Sequence, residues 1–301
     1  MIHVVGHTAV DHISKVPHLP EKNCSTHITD RQIYFGGGAA NIAAGIAMLG
    51  EHANLISCVG GDFPGSDYDY WMKEIRIRQQ FFFVPDAHTP TAFMFTDDAG
   101  DQMTFFEWGA SKAFAGAVAP SLPFVHMATA DPTFNCRVAE KSEFVSFDPG
   151  QDVFYYTREQ LESILANTDI LFANQHEVHQ MCAILSITKE KLIKQVDTVV
   201  FTMSSKGSNL YTKGKEYFVP VVPVKLADPT GAGDAYRAGF LSAFVRGYPT
   251  LTCCKIGTVT ASFVVEHVGC QTNLPDWKAM QSRYQQNFGE LEAPQGDKGK
   301  I

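Results

Sequence analysis

The sequence contains no stretch of the roughly 18 apolar residues that a membrane-spanning helix needs. Its opening Met1-Ile2-His3-Val4-Val5 carries no basic segment and no cleavage site. A soluble, untargeted, cytoplasmic protein is therefore expected. Basic residues are in deficit, with 24 Lys and Arg against 32 Asp and Glu for a net charge of −8. That balance argues against nucleic acid or an anionic membrane as a partner. The seven cysteines are odd in number and never spaced CxxC. Neither a disulfide framework nor a zinc site is expected from them, and most read as small buried hydrophobes in a reducing compartment. No GxxxxGK followed by Ser or Thr occurs, which excludes a Walker A loop. His176, Glu177 and His179 come near a zinc motif, yet they lack the i, i+4 histidine pair of HExxH.

What is present is enough apolar residue, 45% of 301, for a large core in one or two domains of roughly 150 residues each. Strand-like segments at 2–5, 53–58, 124–127, 144–147, 170–173 and 198–202 alternate with helix-like ones at 39–49, 66–76, 158–166, 175–184, 234–246, 250–268 and 275–287. The alternation predicts a mostly parallel sheet covered by helices, an α/β fold. Residues 12–35 and 91–107 break the pattern and read as antiparallel strands of one small β-lid, the second segment turning at Asp97-Asp98-Ala99-Gly100-Asp101. The core is then 1–11, 36–90 and 108–289, and the polar stretch 290–301 reads as a disordered tail.

Chemistry concentrates in two glycine clusters. In DPTGAGDAYRA, residues 228–238, turn formers and small residues precede the helical spacing of Ala235, Ala238, Leu241 and Val245. Gly231, Ala232 and Gly233 would present backbone N–H groups to an anion at the positive end of a helix. Asp234, in the first turn, would accept a proton from a substrate hydroxyl, and phosphoryl transfer to an alcohol needs both parts. Taken alone, Asp234 is equally an ordinary helix-start acid. The second cluster, GGGAANIAAGIAMLG at 36–50, opens an Ala-rich helix with Asn41 in its first turn, whose amide suits vicinal hydroxyls. A dinucleotide fold does not fit this cluster, because it follows a lid-like segment and has Asn41 where Gly or Ala is wanted.

Together, and in this order, the two segments resemble the two signatures of the ribokinase-like (phosphofructokinase-B type) carbohydrate kinase family. The resemblance runs from Gly6-His7-Thr8-Ala9-Val10-Asp11 to ASFVVE at 261–266 and GCQTNLP at 269–275. The last run, with FDPGQD at 147–152, is similar to the archaeal nucleoside kinases in particular. The resemblance implies a ribokinase-like three-layer αβα core with a β-sheet lid. It implies an ATP-dependent, Mg²⁺-requiring kinase acting on the 5′-hydroxyl of a ribonucleoside, and a homodimer formed through the lid.

Residue by residue, the resemblance makes Asp234 the base, a weak one because a helix N-terminus favours its carboxylate. It gives Gly231, Ala232 and Gly233 to the transferring phosphoryl group, and Asp11, Gly37, Gly38 and Asn41 to the ribose. Asn174 and Glu177, the family's NxxE element, would organise Mg²⁺ largely through water and phosphate, although Glu177 alone reads as a helix-start acid. Thr202, Lys206 and Gly207 match the nucleotide loop. Ser204 stands there where glycine is usual, which would strain a backbone with positive φ; the loop is read as differing instead. A monovalent cation, K⁺, is implied near Asp228 and Thr230. Phe93, Phe95, Phe105, Phe106 and Trp108 read as lid packing or as stacking surfaces for a base.

Two alternatives stay open. One is a ribokinase or other sugar or sugar-phosphate kinase, although segments 36–41 and 91–108 hold no Lys or Arg for a phosphorylated acceptor, leaving Arg31 and Arg137 as candidates. The other is a nucleoside-binding module without catalysis, against which the intact Gly231-Ala232-Gly233-Asp234 set speaks.

Overall fold

The structure, a computed structural model, describes residues 1–294. In chain order its first half comprises β1 (Ile2–Val5), β2 (Ala9–Lys15), β3 (Asp30–Gly36), α1 (Gly38–Met48), β4 (Ala53–Gly60), α2 (Asp67–Glu74), β5 (Arg78–Val84), β6 (Thr91–Thr96), β7 (Gln102–Glu107), β8 (Val125–Met127), α3 (Pro132–Lys141) and β9 (Val145–Phe147). The second half comprises α4 (Arg158–Ala166), β10 (Ile170–Asn174), α5 (Gln175–Leu185), α6 (Lys189–Ile193), β11 (Thr198–Thr202), β12 (Ser208–Thr212), β13 (Lys215–Val219), α7 (Ala232–Val245), α8 (Thr250–Val264) and α9 (Trp277–Phe288).

The main sheet runs β13-β12-β11-β10-β9-β8-β1-β4-β5 and is parallel from β11 through β5. Its central strands are apolar on both faces, because alternate side chains enter different cores. Ile170, Phe172 and Val200 join one core with Ile42 and Ile46 of α1 and Phe240 and Leu241 of α7. Leu171, Ala173 and Val199 join the other with Phe134 of α3, Ile164 of α4 and Met181 of α5. Two cores on two faces of one sheet make the three-layer αβα, ribokinase-like architecture. Its strand order reverses between β1 and β8, where open α/β sheets bind ligands at their carboxyl ends. No helix among the described residues is long and apolar enough to cross a membrane.

The second sheet, ordered β3-β2-β6-β7, differs from the all-antiparallel expectation. Its outer pairs are antiparallel, but β2 and β6 pair in parallel over Val10 to Lys15 and Thr91 to Thr96. The reason is topological: β2 follows β1 and β6 follows β5, two strands of the same direction in the main sheet, and each excursion then returns along its own outer strand. Because β2 begins at Ala9, Asp11 lies on a lid strand.

Several elements escape the sequence pattern: β5, β12, β13, α3 and α6. The β12–β13 hairpin turns through Lys213 and Gly214, both at positive φ (51° and 71°), as a two-residue hairpin demands, without the Asn-Gly or Asp-Gly pair that would have signalled it. Helix α8 stops at Val264, short of the expected 268. The expected disordered tail lies, from residue 295 on, outside the described residues; Leu291, within it, packs against the core.

Candidate active site

A cleft of about 900 Å³ opens between the lid and the carboxyl ends of β1, β8, β9, β10 and β11, at the large end of the range for small-molecule sites. It brings together Asp11, Gly37, Gly38, Asn41, Asn174, Glu177, Thr202, Gly207 and Gly231 through Asp234. Lys206 is exposed and does not line it.

The turn before α7 is built on Asp228, whose carboxylate accepts from the Thr230 amide at 2.9 Å. Gly231 follows in the left-handed region (φ 78°), and a Cβ there would also lie 2.8 Å from Cys270, so glycine is required twice over. The Ala232 amide donates back to Pro229 O at 3.2 Å, which spends one of the three expected anion donors on the turn. The other early amides, at Gly233 and Asp234, have no intrahelical acceptor, as at any helix start. Asp234 accepts from Asn41 Nδ2 at 2.9 Å. Burial lifts its carboxyl from 3.8 to about 6, against the pull of Arg237 and Asn41 and with help from Asp148. The sequence-based expectation of a low, weakly basic carboxylate is thus corrected: desolvation outweighs the helix end.

Asp11, 5% exposed, sits over Gly36, where any Cβ would fall within 2.2 Å of its carboxyl atoms. Burial first, then repulsion by Asp234 and Asp228, raises it to about 7. Both ends of the Asn41 amide are engaged. Nδ2 donates to Asp234, and Oδ1 accepts from Gln271 Nε2 at 2.9 Å. Gln271 in turn donates to Tyr68 Oη at 2.7 Å and accepts from Trp71 Nε1 at 3.0 Å. A relay from Trp71 to Asp234 therefore orients the carboxylate, and the Asn41 amide also hydrogen-bonds the Cys270 thiol. Gln271 was visible only as part of GCQTNLP, and Tyr68 carried no signal.

At the opposite end, Asn174 and Glu177 form a reciprocal capping box on α5. Asn174 Oδ1 accepts from the Glu177 amide at 3.0 Å, and a Glu177 carboxylate oxygen accepts from the Asn174 amide at 2.6 Å. Glu177 is thus a helix-start acid that also lines the cleft, at 5% exposure. Burial and Asp148 raise it to about 7, with Arg237 opposing. Ser204 adopts positive φ (50°), so serine bears the cost of a left-handed backbone there. Beyond it, Val222, Pro223, Val224 and Leu226, with Ala261 and Val265 of the ASFVVE segment, give the cleft an apolar lining; residues 222–226 belonged to no motif.

Two clusters were missed outright. Arg237, one turn after Asp234, is 6% exposed with Nε 2.5 Å from Asp148 Oδ2, and Asp148 is 4% exposed. Near the lid, His7 Nδ1 pairs with Ser111 Oγ at 2.8 Å, and its Nε2 lies 3.4 Å from Asp152 Oδ2. The presence of His7, Asp148 and Asp152 in quoted segments was the available signal.

The lid's aromatics are sorted by strand alternation. Cross-strand partners Asp11, Ala92 and Phe106 line the cleft, whereas the next row, Ile33, His12, Phe93 and Phe105, occupies the other face. Of the five aromatics, only Phe106 lines the cleft, packed on His7 at 4.9 Å between centroids.

The chain matches the model of the pfkB family carbohydrate kinases over residues 1–277. It is 44% identical to the nucleoside kinase of Methanocaldococcus jannaschii over 94% of this chain and 96% of that protein. The crystal structure of that ribokinase-family enzyme superposes with a TM-score of 0.90, covering 95% of this chain and 98% of that one. The nucleoside kinase of Methanothermobacter thermautotrophicus is 41% identical over 95% of this chain and 96% of its own length. A nucleoside kinase of Burkholderia thailandensis in complex with inosine, 22% identical, shares the fold with a TM-score of 0.89, covering 97% of this chain and 99% of that one.

Proposed function

The chain belongs to the pfkB family of carbohydrate kinases, phosphotransferases with an alcohol acceptor, and on that premise we propose that it transfers the γ-phosphoryl group of ATP to the 5′-hydroxyl of a ribonucleoside. The observation that carries this reading is one cleft holding a buried carboxylate, Asp234, at a helix N-terminus together with Asp11, Asn41 and an apolar lining at 222–226. Asp11, with the Asn41 amide beside it, holds the ribose hydroxyls. The 5′-hydroxyl then faces Asp234, which takes its proton as the new O–P bond forms and the bond to ADP breaks. The amides of Gly233 and Asp234 meet the charge on the transferring group, each such donor being worth roughly 3 kcal/mol. The apolar lining at 222–226 takes the flat adenine, beside Thr202 and Gly207.

Among the described residues no three His, Cys, Asp or Glu side chains are grouped to hold a metal ion. The carboxylates of Glu177 and Asp148 at the phosphate end fit Mg²⁺ held chiefly by phosphate and water, with Asn174 and Glu177 in its outer sphere. When bound, Mg²⁺ supplies charge neutralisation to the phosphates. K⁺ activation belongs to the same proposal, at the buried Asp228 carboxylate beside Thr230.

A nucleoside is favoured over a sugar phosphate because the acceptor end offers no cation. Arg31 is exposed on β3, and Arg137 donates to the carbonyls of Phe114, Ala115 and Ala117. The proposal includes a homodimer through the lid's outer face, where Ile33, Met103 and Phe105 are 57%, 42% and 56% exposed and form a patch suited to a second copy. The test is ADP release across a panel of ribonucleosides, ribose, fructose and fructose 6-phosphate. At least one ribonucleoside should show the highest kcat/KM. Ribose or fructose 6-phosphate outrunning every nucleoside overturns the substrate and leaves the kinase.

A further inference from the structure

The cleft is lined by Asp11, Asp148, Asp152, Glu177 and Asp234, and the one Lys or Arg among its lining residues is Arg237. A polyphosphate entering this site meets a surplus of like charge, so the placement of that cation decides where the phosphate settles. Arg237 rises from the second turn of α7, crosses the face of Phe172 with its guanidinium carbon 5.9 Å from the ring centroid, and reaches Asp148. Its Nε lies 2.5 Å from that carboxylate, a buried ion pair. The guanidinium also lies directly behind Gly233, where a Cβ would sit 2.4 Å from Arg237 Nη1. The absent side chain of Gly233 is thus explained by the arginine, and the turn that offers its amides to an anion rests on a buried positive charge.

We propose that Arg237 is a positioning residue for phosphoryl transfer: anchored by Asp148 beneath Gly233, it shapes the α7 turn and makes its potential positive where the γ-phosphate docks. A buried guanidinium behind a set of amides adds to the helix end's own field in a site that excludes water, where such charges act strongly. The inference rests on the kinase reading above.

The competing account is a structural ion pair that merely neutralises Asp148, and a cycle of Arg237→Gln, Asp148→Asn and the double variant separates the two. ATP and ADP binding is measured by calorimetry in EDTA, alongside steady-state kinetics and thermal unfolding. Wild type binding ATP and releasing ADP with a nucleoside upholds the kinase reading; failure there overturns that reading itself. With wild type active, folded Arg237→Gln should bind metal-free ATP about tenfold more weakly, with a smaller loss for ADP, and lose kcat by about 10² with the nucleoside KM changed less than about twofold. Arg237→Lys should recover part of the loss, and Asp148→Asn, which removes the anchor, should lose part of the metal-free ATP affinity. The double variant should stay as weak as Arg237→Gln. Recovery of ATP affinity and kcat in the double variant, or unchanged ATP affinity in Arg237→Gln, would overturn the proposal and leave the ion pair as structural.

Discussion

Replacing Asp234 with Asn tests both the chemistry and the electrostatics of the cleft. The amide matches the carboxylate in size, and its oxygen can still accept from Asn41 Nδ2, now 2.9 Å away, so the fold should survive. What is lost is the charged proton acceptor, and kcat should fall by roughly 10² to 10⁴ with little change in nucleoside affinity. The wild-type rate should carry an acid limb: Asp234 near 6 and Asp11 near 7 repel one another. The limb therefore belongs to the pair, and kcat/KM should decline as pH falls through 7 to 6. Stability should move the other way. A carboxyl raised from 3.8 to about 6 on folding binds its proton more tightly in the folded state, so its contribution is fully present below pH 3.8 and is lost as pH rises through about 6. At pH 7.5 the wild type bears that cost, on the order of 3 kcal/mol, and Asn does not. Asp234→Asn should thus unfold at a higher temperature at pH 7.5, with the gain vanishing near pH 4. A coupled ADP-release assay and thermal unfolding at the two pH values decide the matter. Near-normal turnover removes Asp234 as base; an inactive variant with no pH-dependent gain in stability refutes the desolvation argument.

Glu177→Gln should raise the Mg²⁺ concentration for half-maximal rate about tenfold while shifting the nucleoside KM far less, and a superimposable Mg²⁺ curve would reduce Glu177 to a helix cap. Ser204→Gly should stabilise the protein by about 1 kcal/mol by relieving the left-handed backbone, seen as a higher denaturation midpoint; no change or a loss would contradict the strain. Phe105→Glu, on the lid's outer face, should shift sedimentation from dimer to monomer, and an unaltered species would remove that face from the interface.

Much of the architecture was written locally. Buried strands such as Ile170–Asn174 and Thr198–Thr202 show as short apolar runs, and helices such as Arg158–Ala166 carry their own caps, because period and capping depend on neighbours in sequence. The same holds for α7, whose start is set by Gly231 and its turn. Family membership was legible for the same reason: its motifs are contiguous stretches. The hairpin at Lys213 and the parallel pairing of β2 with β6 were not, since one lacks a turn signature and the other depends on where distant strands leave the core. What the cleft can do was decided in three dimensions. Asp234 holds its proton more tightly than its helix position implies because burial costs a carboxylate more than the helix end returns. Asn41 is bound by Gln271, 230 residues away, and Arg237 lies beneath Gly233 because α7 packs over Phe172. Desolvation, and contacts between residues far apart in sequence, exist only once the chain has closed around them.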